Sequence, residues 1–226
     1  MKKNVLVVIP AYNEEKAIGR VIDSLKKDGL MNIIVVNDGS SNNTAEIAKK
    51  HGARAYSHII NRGLGGALNT GITAALMSGA GIIATCDADG QHNSKDVRRA
   101  IETLTGKGYD VVLGSRMINS KGMSLSRKLL NRGANFLTYM LFGIYVTDTQ
   151  GGLRVFSRSA AEKIRIKTNR MEVSSEIIKE IGRNKLRFKE IPIEVIYTDY
   201  SLRKGQKNTN AFRIIYKLIL SRIMRS

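Results

Sequence analysis

The chain has 226 residues, of which 42% are hydrophobic and 25% are charged, and its formal net charge is +18. This length is near the upper end for one domain, and the composition is typical of a globular protein, which excludes a largely disordered chain. The excess of Lys and Arg indicates an anionic partner, such as nucleic acid, an acidic membrane surface or a phosphorylated substrate.

The first half of the chain alternates between short apolar segments and amphipathic segments. We predict strands at residues 5–9, 33–36, 53–57, 82–86 and 110–114. The first helix is predicted from Asn13 as the N-cap, with Glu14 and Glu15 in its first turn, to Gly29, and further helices at about residues 44–51, 61–78 and 94–104. This alternation predicts an α/β fold with a mostly parallel, Rossmann-like sheet that carries helices on both faces.

The pattern becomes less regular after Arg116. We predict a loop at residues 119–123, a helix at about 124–142, a turn at 148–152 and a strand at 153–156. A helix at about residues 173–182, a strand at 188–196, a basic loop at 197–208 and a last helix at about 209–225 complete the chain.

Three of the predicted strands are followed by polar and acidic residues. These clusters are Pro10, Ala11, Tyr12, Asn13 and Glu14; Asn37, Asp38, Gly39 and Ser40; and Asp87, Ala88, Asp89, Gly90 and Gln91. Ligands of open α/β sheets bind beyond the carboxyl ends of the strands, so the clusters predict a site. Carboxylate and amide oxygens suit Mg²⁺ or Mn²⁺ better than zinc, although an isolated Asp-x-Asp is also compatible with a solvated turn.

Residues 61–66 are rich in glycine but match neither the P-loop pattern nor the dinucleotide-binding pattern. P-loop hydrolases and dinucleotide oxidoreductases are therefore disfavoured. The glycines are compatible with close helix packing, which we favour, or with direct contact to a ligand.

In order along the chain, the motifs resemble those of the family 2 inverting glycosyltransferases of the GT-A fold. They are PAYNE at residues 10–14, VNDGS at 36–40, RGLG at 62–65, DADGQ at 87–91 and GSR at 114–116. Within that family the chain is most similar to the dolichyl- or polyprenyl-phosphate sugar synthases. The resemblance implies a metal-dependent hexosyltransferase that uses GDP-mannose or UDP-glucose, or less readily a UDP-N-acetylhexosamine, and a polyprenyl phosphate acceptor.

We also expect the chain to be divided into two parts. Residues 1–208 would form the GT-A domain, with the nucleotide-sugar half at about 1–115 and the acceptor half at about 116–208, and residues 209–226 would form an amphipathic helix. In the basic loop, Lys204, Gly205, Gln206 and Lys207 stand where an Arg-x-Gly-x-Ser-Lys pattern is common. At another motif, Asn37 replaces a frequent Asp.

Individual roles follow from the same resemblance. The nucleotide sugar would be bound by Pro10, Ala11, Tyr12, Glu14, Asn37, Asp38, Asp87, Ala88, Arg203 and Lys204. A Mg²⁺ or Mn²⁺ ion would be held by Asp87, Asp89 and Gln91. The acceptor phosphate would be bound by Arg116, Arg127 and Asn131, and the catalytic residues would be Asp89, Arg116 and Arg127.

The chemistry of the acceptor decides whether a general base is needed. A phosphate monoester is largely dianionic at neutral pH, so it would need cationic side chains rather than a strong base. The alternative is a glycosyltransferase with a hydroxyl acceptor on a polysaccharide or glycolipid, in which Asp148 would be the base. A basic nucleic-acid-binding protein is the alternative from another class, but the chain lacks clustered aromatic residues, and we expect no nucleic-acid partner.

The last predicted helix bears on the location of the protein. It carries Arg213, Lys217, Ser221 and Arg225 on one face and apolar residues on the remainder, which is compatible with docking on protein or lying on a membrane. Residues 136–146 allow the same two interpretations, with core packing favoured. The longest stretch without charge, residues 133–147, is shorter than the roughly 20 residues that cross a bilayer.

From these observations we predict no transmembrane helix. With a single cysteine, Cys86, and no signal peptide before the first strand, we expect a cytoplasmic protein. It would lie on the inner face of an anionic membrane, with a separate membrane protein as a candidate partner.

Overall fold

A seven-stranded sheet forms the centre of the computed structural model, which describes residues 4–119, 125–194 and 196. Its strands are β1 (Val5–Ala11), β2 (Ile33–Asn37), β3 (Arg54–Ser57), β4 (Ile82–Thr85), β5 (Val111–Ser115), β6 (Arg154–Ser157) and β7 (Phe188–Pro192). Their spatial order is β3-β2-β1-β4-β6-β5-β7. Only β6 is antiparallel to its neighbours in this sheet, so the predicted mostly parallel α/β fold is confirmed.

Helices cover both faces of the sheet, as predicted. In the described ranges they are α1 (Ile18–Lys27), α2 (Thr44–Lys50), α3 (Leu64–Met77), α4 (Ser94–Lys107), α5 (Leu125–Phe142), α6 (Arg158–Lys163) and α7 (Val173–Arg183). One apolar core lies between the sheet and α1 and α4, and a second lies between the sheet and α3 and α7. Successive residues of β1 alternate between the two cores, with Val7 in the first and Val8 in the second.

Burial on both faces explains the apolar composition of the central strands. Four consecutive residues of β1, Leu6 to Ile9, are fully buried, which is typical of a parallel strand between two helical layers. Cys86, directly after β4, is also buried in the first core. Burial and the neighbouring Asp87 and Asp89 charges raise the pKa of its thiol well above the usual range.

The glycines near the start of α3 serve close packing, which was the favoured interpretation. A Cβ atom on Gly65 would lie 1.9 Å from the backbone oxygen of Thr168, and one on Gly63 would lie 2.4 Å from the backbone oxygen of Asn169. The N–H of Gly65 donates to the Asn169 carbonyl at 2.9 Å. Any larger residue at either position would push α3 away from its neighbours.

The start of α1 was predicted wrongly. The helix begins at Ile18 instead of after Asn13, and no acidic residue lies in its first turn. Asn13 has a positive φ of 55°, and its side-chain oxygen accepts from the Ser41 N–H at 3.0 Å. Asn favours both helix N-caps and left-handed turns, so the same residue signal led to the wrong element.

Two further differences lie in the second half of the chain. The six-residue helix α6 was not predicted; the hydroxyl of Ser157 caps it by accepting from the Ala160 N–H at 3.2 Å. Strand β7 ends at Pro192 instead of Ile196. The predicted loop at residues 197–208, with Arg203 and Lys204, and the last helix lie outside the described residues, so these predictions remain untested.

The core packing favoured for residues 136–146 is wrong for most of the segment. Phe136, Met140 and Tyr145 are each 63% exposed. Of the apolar residues in this segment, only Val146 is buried. Among the described side chains of α5, the buried ones are instead the polar Asn135 and Thr138. Within the described ranges, no helix has the length and apolar character required to cross a membrane.

Candidate active site

The three acidic clusters meet at one edge of the sheet. Parallel strands β1, β2, β4 and β5 end there, and because β6 runs in the opposite direction, the turn at residues 148–152 that precedes it lies at the same edge. Asp89 interacts electrostatically with Asp87 and Glu14, and Asp87 interacts with Arg116. The fold thus brings together predicted donor, metal and acceptor residues from separate parts of the chain.

Asp87 is the carboxylate with the most cationic surroundings in this cluster. Its Oδ2 lies 3.1 Å from Nε2 of His92, and the side chain remains 42% exposed. Burial raises the pKa of Asp87, but the His92 hydrogen bond and the positive charges of Arg154 and Arg116 outweigh it and hold the pKa below its usual range. Asp87 is therefore an ionised carboxylate that is partly accessible to solvent.

Asp89 has the opposite electrostatic setting. Its Oδ1 accepts from the Gln91 N–H at 3.0 Å, which closes a tight turn. Burial and the negative charges of Asp87 and Glu14 raise the pKa of Asp89, with the Gln91 N–H and His92 opposing this effect. A cation at this turn would relieve the repulsion between the two aspartates.

The oxygen atoms at this turn fit a hard divalent cation. In the described residues no cluster of three or more His, Cys, Asp or Glu side chains forms a complete metal site. Mg²⁺ is commonly bound by one or two carboxylates together with substrate phosphates and water. A pair of aspartates with the Gln91 amide oxygen is compatible with a cation that arrives with a diphosphate.

Gly152 supports the position of Asp87 by having no side chain. A Cβ atom at Gly152 would lie 2.2 Å from Oδ2 and 2.4 Å from Oδ1 of Asp87. The backbone at residue 152 therefore forms the surface against which the carboxylate rests. Its carbonyl is also held, because the Thr85 hydroxyl donates to it at 2.9 Å.

Gly152→Ala is expected to displace the Asp87 carboxylate and weaken donor binding by about tenfold or more, because overpacking of this kind costs about 1–3 kcal/mol. Isothermal titration with a nucleotide diphosphate and Mn²⁺ measures the change. Gly106→Ala is the matched control, because nothing lies within 4 Å of a Cβ atom at Gly106 in α4. Equal binding by the two variants would contradict this prediction.

The Asp38 carboxylate mainly makes hydrogen bonds within the protein. The carboxylate is buried and accepts from the backbone N–H groups of Arg62 at 2.9 Å and Gly63 at 2.7 Å, while Nδ1 of His58 lies 2.7 Å from Oδ1. The other ring nitrogen of His58 lies 2.9 Å from the Thr70 hydroxyl. Because a carboxylate has about four acceptor positions, little capacity remains for the nucleoside contact predicted for Asp38.

The remaining predicted donor residues surround the same strand ends. Tyr12 is exposed after β1, whereas Ala11 and Ala88 are buried. Asn37 donates to the Ser57 hydroxyl at 3.2 Å and accepts from the Ser40 N–H at 3.3 Å, so its amide orders the turn after β2. The donor-binding roles of these residues remain predictions.

Arg116 forms a two-pronged ion pair with Asp148. Nε and Nη2 of Arg116 donate to the two carboxylate oxygens at 2.7 and 2.8 Å, and the Arg116 N–H donates to Oδ2 at 3.0 Å. The Asp148 side chain is only 1% exposed, whereas the Arg116 side chain is 25% exposed. Because Asp148 is buried and bonded to Arg116, this geometry disfavours it as a general base. Of the two side chains, the guanidinium of Arg116 is the more accessible to a ligand.

The other two predicted acceptor residues lie in α5. Asn131 is half-buried, and its Nδ2 lies 3.7 Å from the sulfur of Met117, the residue that follows Arg116. The side chain of Arg127 lies outside the described part of the structure. Their roles at the acceptor remain predictions.

Arg154 is a site residue that the sequence interpretation missed. Its side chain is buried, and its Nη2 donates to the Ser174 hydroxyl at 3.0 Å. Burial lowers the pKa of Arg154 to about 10, against the opposing influence of Asp87 and Asp148, so the group is a cation at neutral pH. An arginine among the apolar residues Leu153, Val155 and Phe156 was the visible signal.

His92 was missed for a different reason. The three histidines of the chain lack metal-ligand spacing, so the sequence does not single out His92. Its contact with Asp87 is made across the turn of residues 88–91, a spacing that matches no familiar motif.

Glu190, in β7, contacts the segment that precedes Asp148. Its carboxylate accepts from the Thr147 N–H at 2.8 and 3.0 Å and from the Thr147 hydroxyl at 2.9 Å. Burial raises the pKa of Glu190, with the Thr147 hydrogen bonds opposing and the Asp148 charge reinforcing this effect. Through these hydrogen bonds the Glu190 carboxylate orders the segment before Asp148.

The raised pKa of Glu190 predicts a pH-dependent stability. The folded protein binds the Glu190 proton more tightly than the unfolded chain, so this contribution to the free energy of unfolding falls as pH rises above the ordinary Glu value of about 4.3. Glu190→Gln removes the titration. In urea unfolding across a pH series, the stability of the unmodified protein relative to this variant should decrease and then level off; an increase would contradict the assignment.

Comparison with known proteins agrees with the geometry. Residues 6–165 match the family model described as glycosyl transferase family 2. An uncharacterised protein of Methanocaldococcus jannaschii is 49% identical, over 98% of this chain and 93% of its own length. The UDP-N-acetylglucosamine–dolichyl-phosphate N-acetylglucosaminyltransferase of Methanococcus voltae is 38% identical, over 96% of both chains.

A solved structure shows the same fold. Glucosyl-3-phosphoglycerate synthase from Mycobacterium tuberculosis, crystallised with Mn²⁺, UDP-glucose and phosphoglyceric acid, superposes with a TM-score of 0.74 at 23% identity. The alignment covers 98% of this chain and 80% of that chain.

Proposed function

Since this chain belongs to glycosyl transferase family 2, we propose that it transfers a sugar from a nucleotide sugar to a polyprenyl phosphate at a membrane surface, with the help of a divalent cation. The observation that carries this proposal is the placement of Asp87 and Asp89 beside Arg116 at one edge of the sheet. An acidic pair suits a cation with a diphosphate, and an arginine suits a second phosphate. The two substrates of the proposed reaction need those two kinds of group.

The chemistry requires little acid–base help from the protein. An oxygen of the acceptor phosphate attacks C1 of the sugar while the bond from C1 to the diphosphate breaks. Because that phosphate is already largely dianionic, no proton has to be removed from it. When bound, a cation held by Asp87, Asp89 and Gln91 would offset charge on the departing diphosphate.

Arg116 would orient the acceptor in this reaction. Its guanidinium plane is fixed by the Asp148 carboxylate, which restricts its rotation before any substrate arrives. A fixed guanidinium binds phosphate oxygens with a defined geometry, which a flexible ammonium group does not provide. The proposal therefore assigns Arg116 to the acceptor phosphate.

For the donor we propose a UDP-sugar, with UDP-N-acetylglucosamine tested first. The name of the Methanococcus voltae relative supports this choice. GDP-mannose and UDP-glucose, which the sequence motifs favour, are the comparison donors.

The exposed apolar residues of α5 support the proposed position of the protein at a membrane surface. Its described buried side chains include the polar Asn135 and Thr138, whereas Leu129, Phe136 and Met140 are 59–63% exposed. A helix that exposes large apolar residues and buries polar ones is typical of a surface that binds an apolar partner. The helix also has three basic residues and no acidic one, which favours an anionic lipid surface over a neutral one.

Vesicle binding tests the lipid surface directly. Phe136→Asp combined with Met140→Asp is expected to weaken binding to anionic vesicles by about tenfold or more. Met77→Asp is the control, because Met77 is 85% exposed on α3. Truncation after Asn208 reports separately on the last predicted helix. If the Phe136→Asp, Met140→Asp double variant and the truncated protein both bind vesicles as well as the unmodified protein, the proposed membrane location is wrong.

The reaction itself is tested with labelled donors. The protein is incubated with polyprenyl phosphate, Mg²⁺ or Mn²⁺, and labelled UDP-N-acetylglucosamine, UDP-glucose or GDP-mannose, and label is counted in the solvent-extractable product. Transfer only to an added polysaccharide or glycolipid would support the hydroxyl-acceptor alternative. Binding of RNA or DNA that survives Asp89→Ala, without any binding of nucleotide sugar, would support the nucleic-acid alternative.

A further inference from the structure

The amide of Asn135 holds the backbone on both sides of Asp148. Its Nδ2 donates to the carbonyl of Thr147, and its Oδ1 accepts from the N–H of Thr149 at 3.0 Å and from the Thr149 hydroxyl at 2.9 Å. Asn135 and Thr149 are both buried. Three hydrogen bonds from one side chain therefore determine where residues 147–149 lie relative to α5.

Residues 147–149, which Asn135 positions, are bonded directly to Arg116. Asp148, between the two bonded threonines, accepts three hydrogen bonds from Arg116. The Thr147 hydroxyl lies 2.6 Å from that of Ser115, the residue before Arg116. A displacement of residues 147–149 would therefore move both the side-chain and the backbone supports of Arg116.

Asn135 is suited to this task by its composition. An amide supplies one donor group and one acceptor group, and here the donor meets a carbonyl while the acceptor meets an N–H and an O–H. A carboxylate of the same shape would place an oxygen against the Thr147 carbonyl. An apolar residue would leave buried polar groups without partners.

We propose that Asn135 is a positioning residue for the acceptor: it ties α5 to the segment around Asp148 and thereby directs the Arg116 guanidinium toward the acceptor phosphate. This inference rests on the proposed function. It concerns a residue that need not touch the substrate, because its effect is transmitted through Asp148. It also connects the helix with the exposed apolar face to the site where a lipid phosphate would react.

Steady-state kinetics with separate variation of the two substrates tests this role. Asn135→Ala is expected to raise the KM for polyprenyl phosphate about tenfold or more, because three buried hydrogen bonds are lost. Donor affinity, measured by titration with the nucleotide diphosphate and Mn²⁺, should change less than about twofold, since in the described part of the chain the side-chain hydrogen bonds of Asp87 and Asp89 are with His92 and Gln91, outside this network. Asn184→Ala is the control: the Asn184 amide also donates to a backbone carbonyl, that of Glu180, but it lies at the end of α7.

If Asn135→Ala does not fold, two milder variants at Thr149 test the same role. Thr149→Val removes only the hydroxyl bond to Asn135 and preserves the side-chain shape, whereas Thr149→Ser retains the hydroxyl. The valine variant should raise the acceptor KM by about threefold or more, and the serine variant should restore most of the affinity.

The outcomes separate this inference from the proposed function. An unchanged acceptor KM in Asn135→Ala, or in Thr149→Val relative to Thr149→Ser, would overturn the positioning role while transfer to polyprenyl phosphate stands. A uniform loss of donor and acceptor binding in these variants would also overturn it, because that result indicates a merely structural residue. If the unmodified protein transfers no sugar to polyprenyl phosphate, the proposed function fails and the inference fails with it.

Discussion

Asp89→Ala is expected to abolish the cation-dependent stabilisation of the protein by nucleotide sugars and to lower sugar transfer by about 10²–10³-fold, the usual effect of removing one preorganised electrostatic group. The only hydrogen bond found for its side chain in the described residues is from the Gln91 N–H. Loss of the side chain also removes repulsion with Asp87 and Glu14. The fold should therefore survive while the cation site is lost.

Thermal shift with and without Mn²⁺ separates these two effects. The variant alone should melt close to the unmodified protein, and addition of UDP-sugar with Mn²⁺ should no longer raise its melting temperature. Asp23→Ala provides the control, since the Asp23 side chain is 59% exposed and paired with His51 on the surface. A full ligand-induced shift in Asp89→Ala would contradict the assignment of the cation to this turn.

Arg116→Ala is expected to impair both stability and transfer. The substitution removes the guanidinium and its two hydrogen bonds from the buried Asp148 carboxylate and leaves only the backbone N–H of residue 116, and breaking a buried ion pair in this way costs about 3–5 kcal/mol. Denaturant unfolding measures that loss. Transfer to polyprenyl phosphate should fall by about 10²-fold or more, because the acceptor would lose a charge-assisted contact.

Adding Asp148→Asn to Arg116→Ala distinguishes the structural effect from the catalytic effect. The double variant carries no unpaired carboxylate, so most of the lost stability should return while transfer remains low. Arg116→Lys tests the same point differently, because a lysine keeps the charge but cannot reproduce the two parallel hydrogen bonds to Asp148. Recovery of transfer in the double variant would exclude Arg116 from the acceptor site.

The sheet and the acidic edge were predictable because their signals are local. Apolar runs such as residues 5–9 and 33–36 indicate strands without knowledge of their neighbours, and parallel strands place their carboxyl ends together. Asp87 and Asp89 could therefore be assigned to one edge with Glu14. The exact start of α1 could not, because Asn13 satisfies two competing local preferences and its bond to Ser41 decides between them.

The contacts that shape the site could not be predicted because their partners are distant in sequence. Gly152 meets Asp87 only because β6 enters the sheet between β4 and β5 in the opposite direction. The carboxylate of Asp38 is bonded by His58, Arg62 and Gly63, which lie 20 to 25 residues away in the sequence. The exposed apolar face of α5 was mistaken for core because apolar periodicity shows that a partner exists without showing which one.

The burial of Cys86 gives the protein an internal reporter of sheet opening. A thiol that is both inaccessible and held in its neutral form reacts slowly with alkylating reagents and oxidants. Since no other cysteine is present in the chain, the rate of alkylation would follow the opening of the segment after β4 alone. Ligands that bind at Asp87, the next residue, should slow this labelling, so the cysteine can register substrate binding without an attached dye.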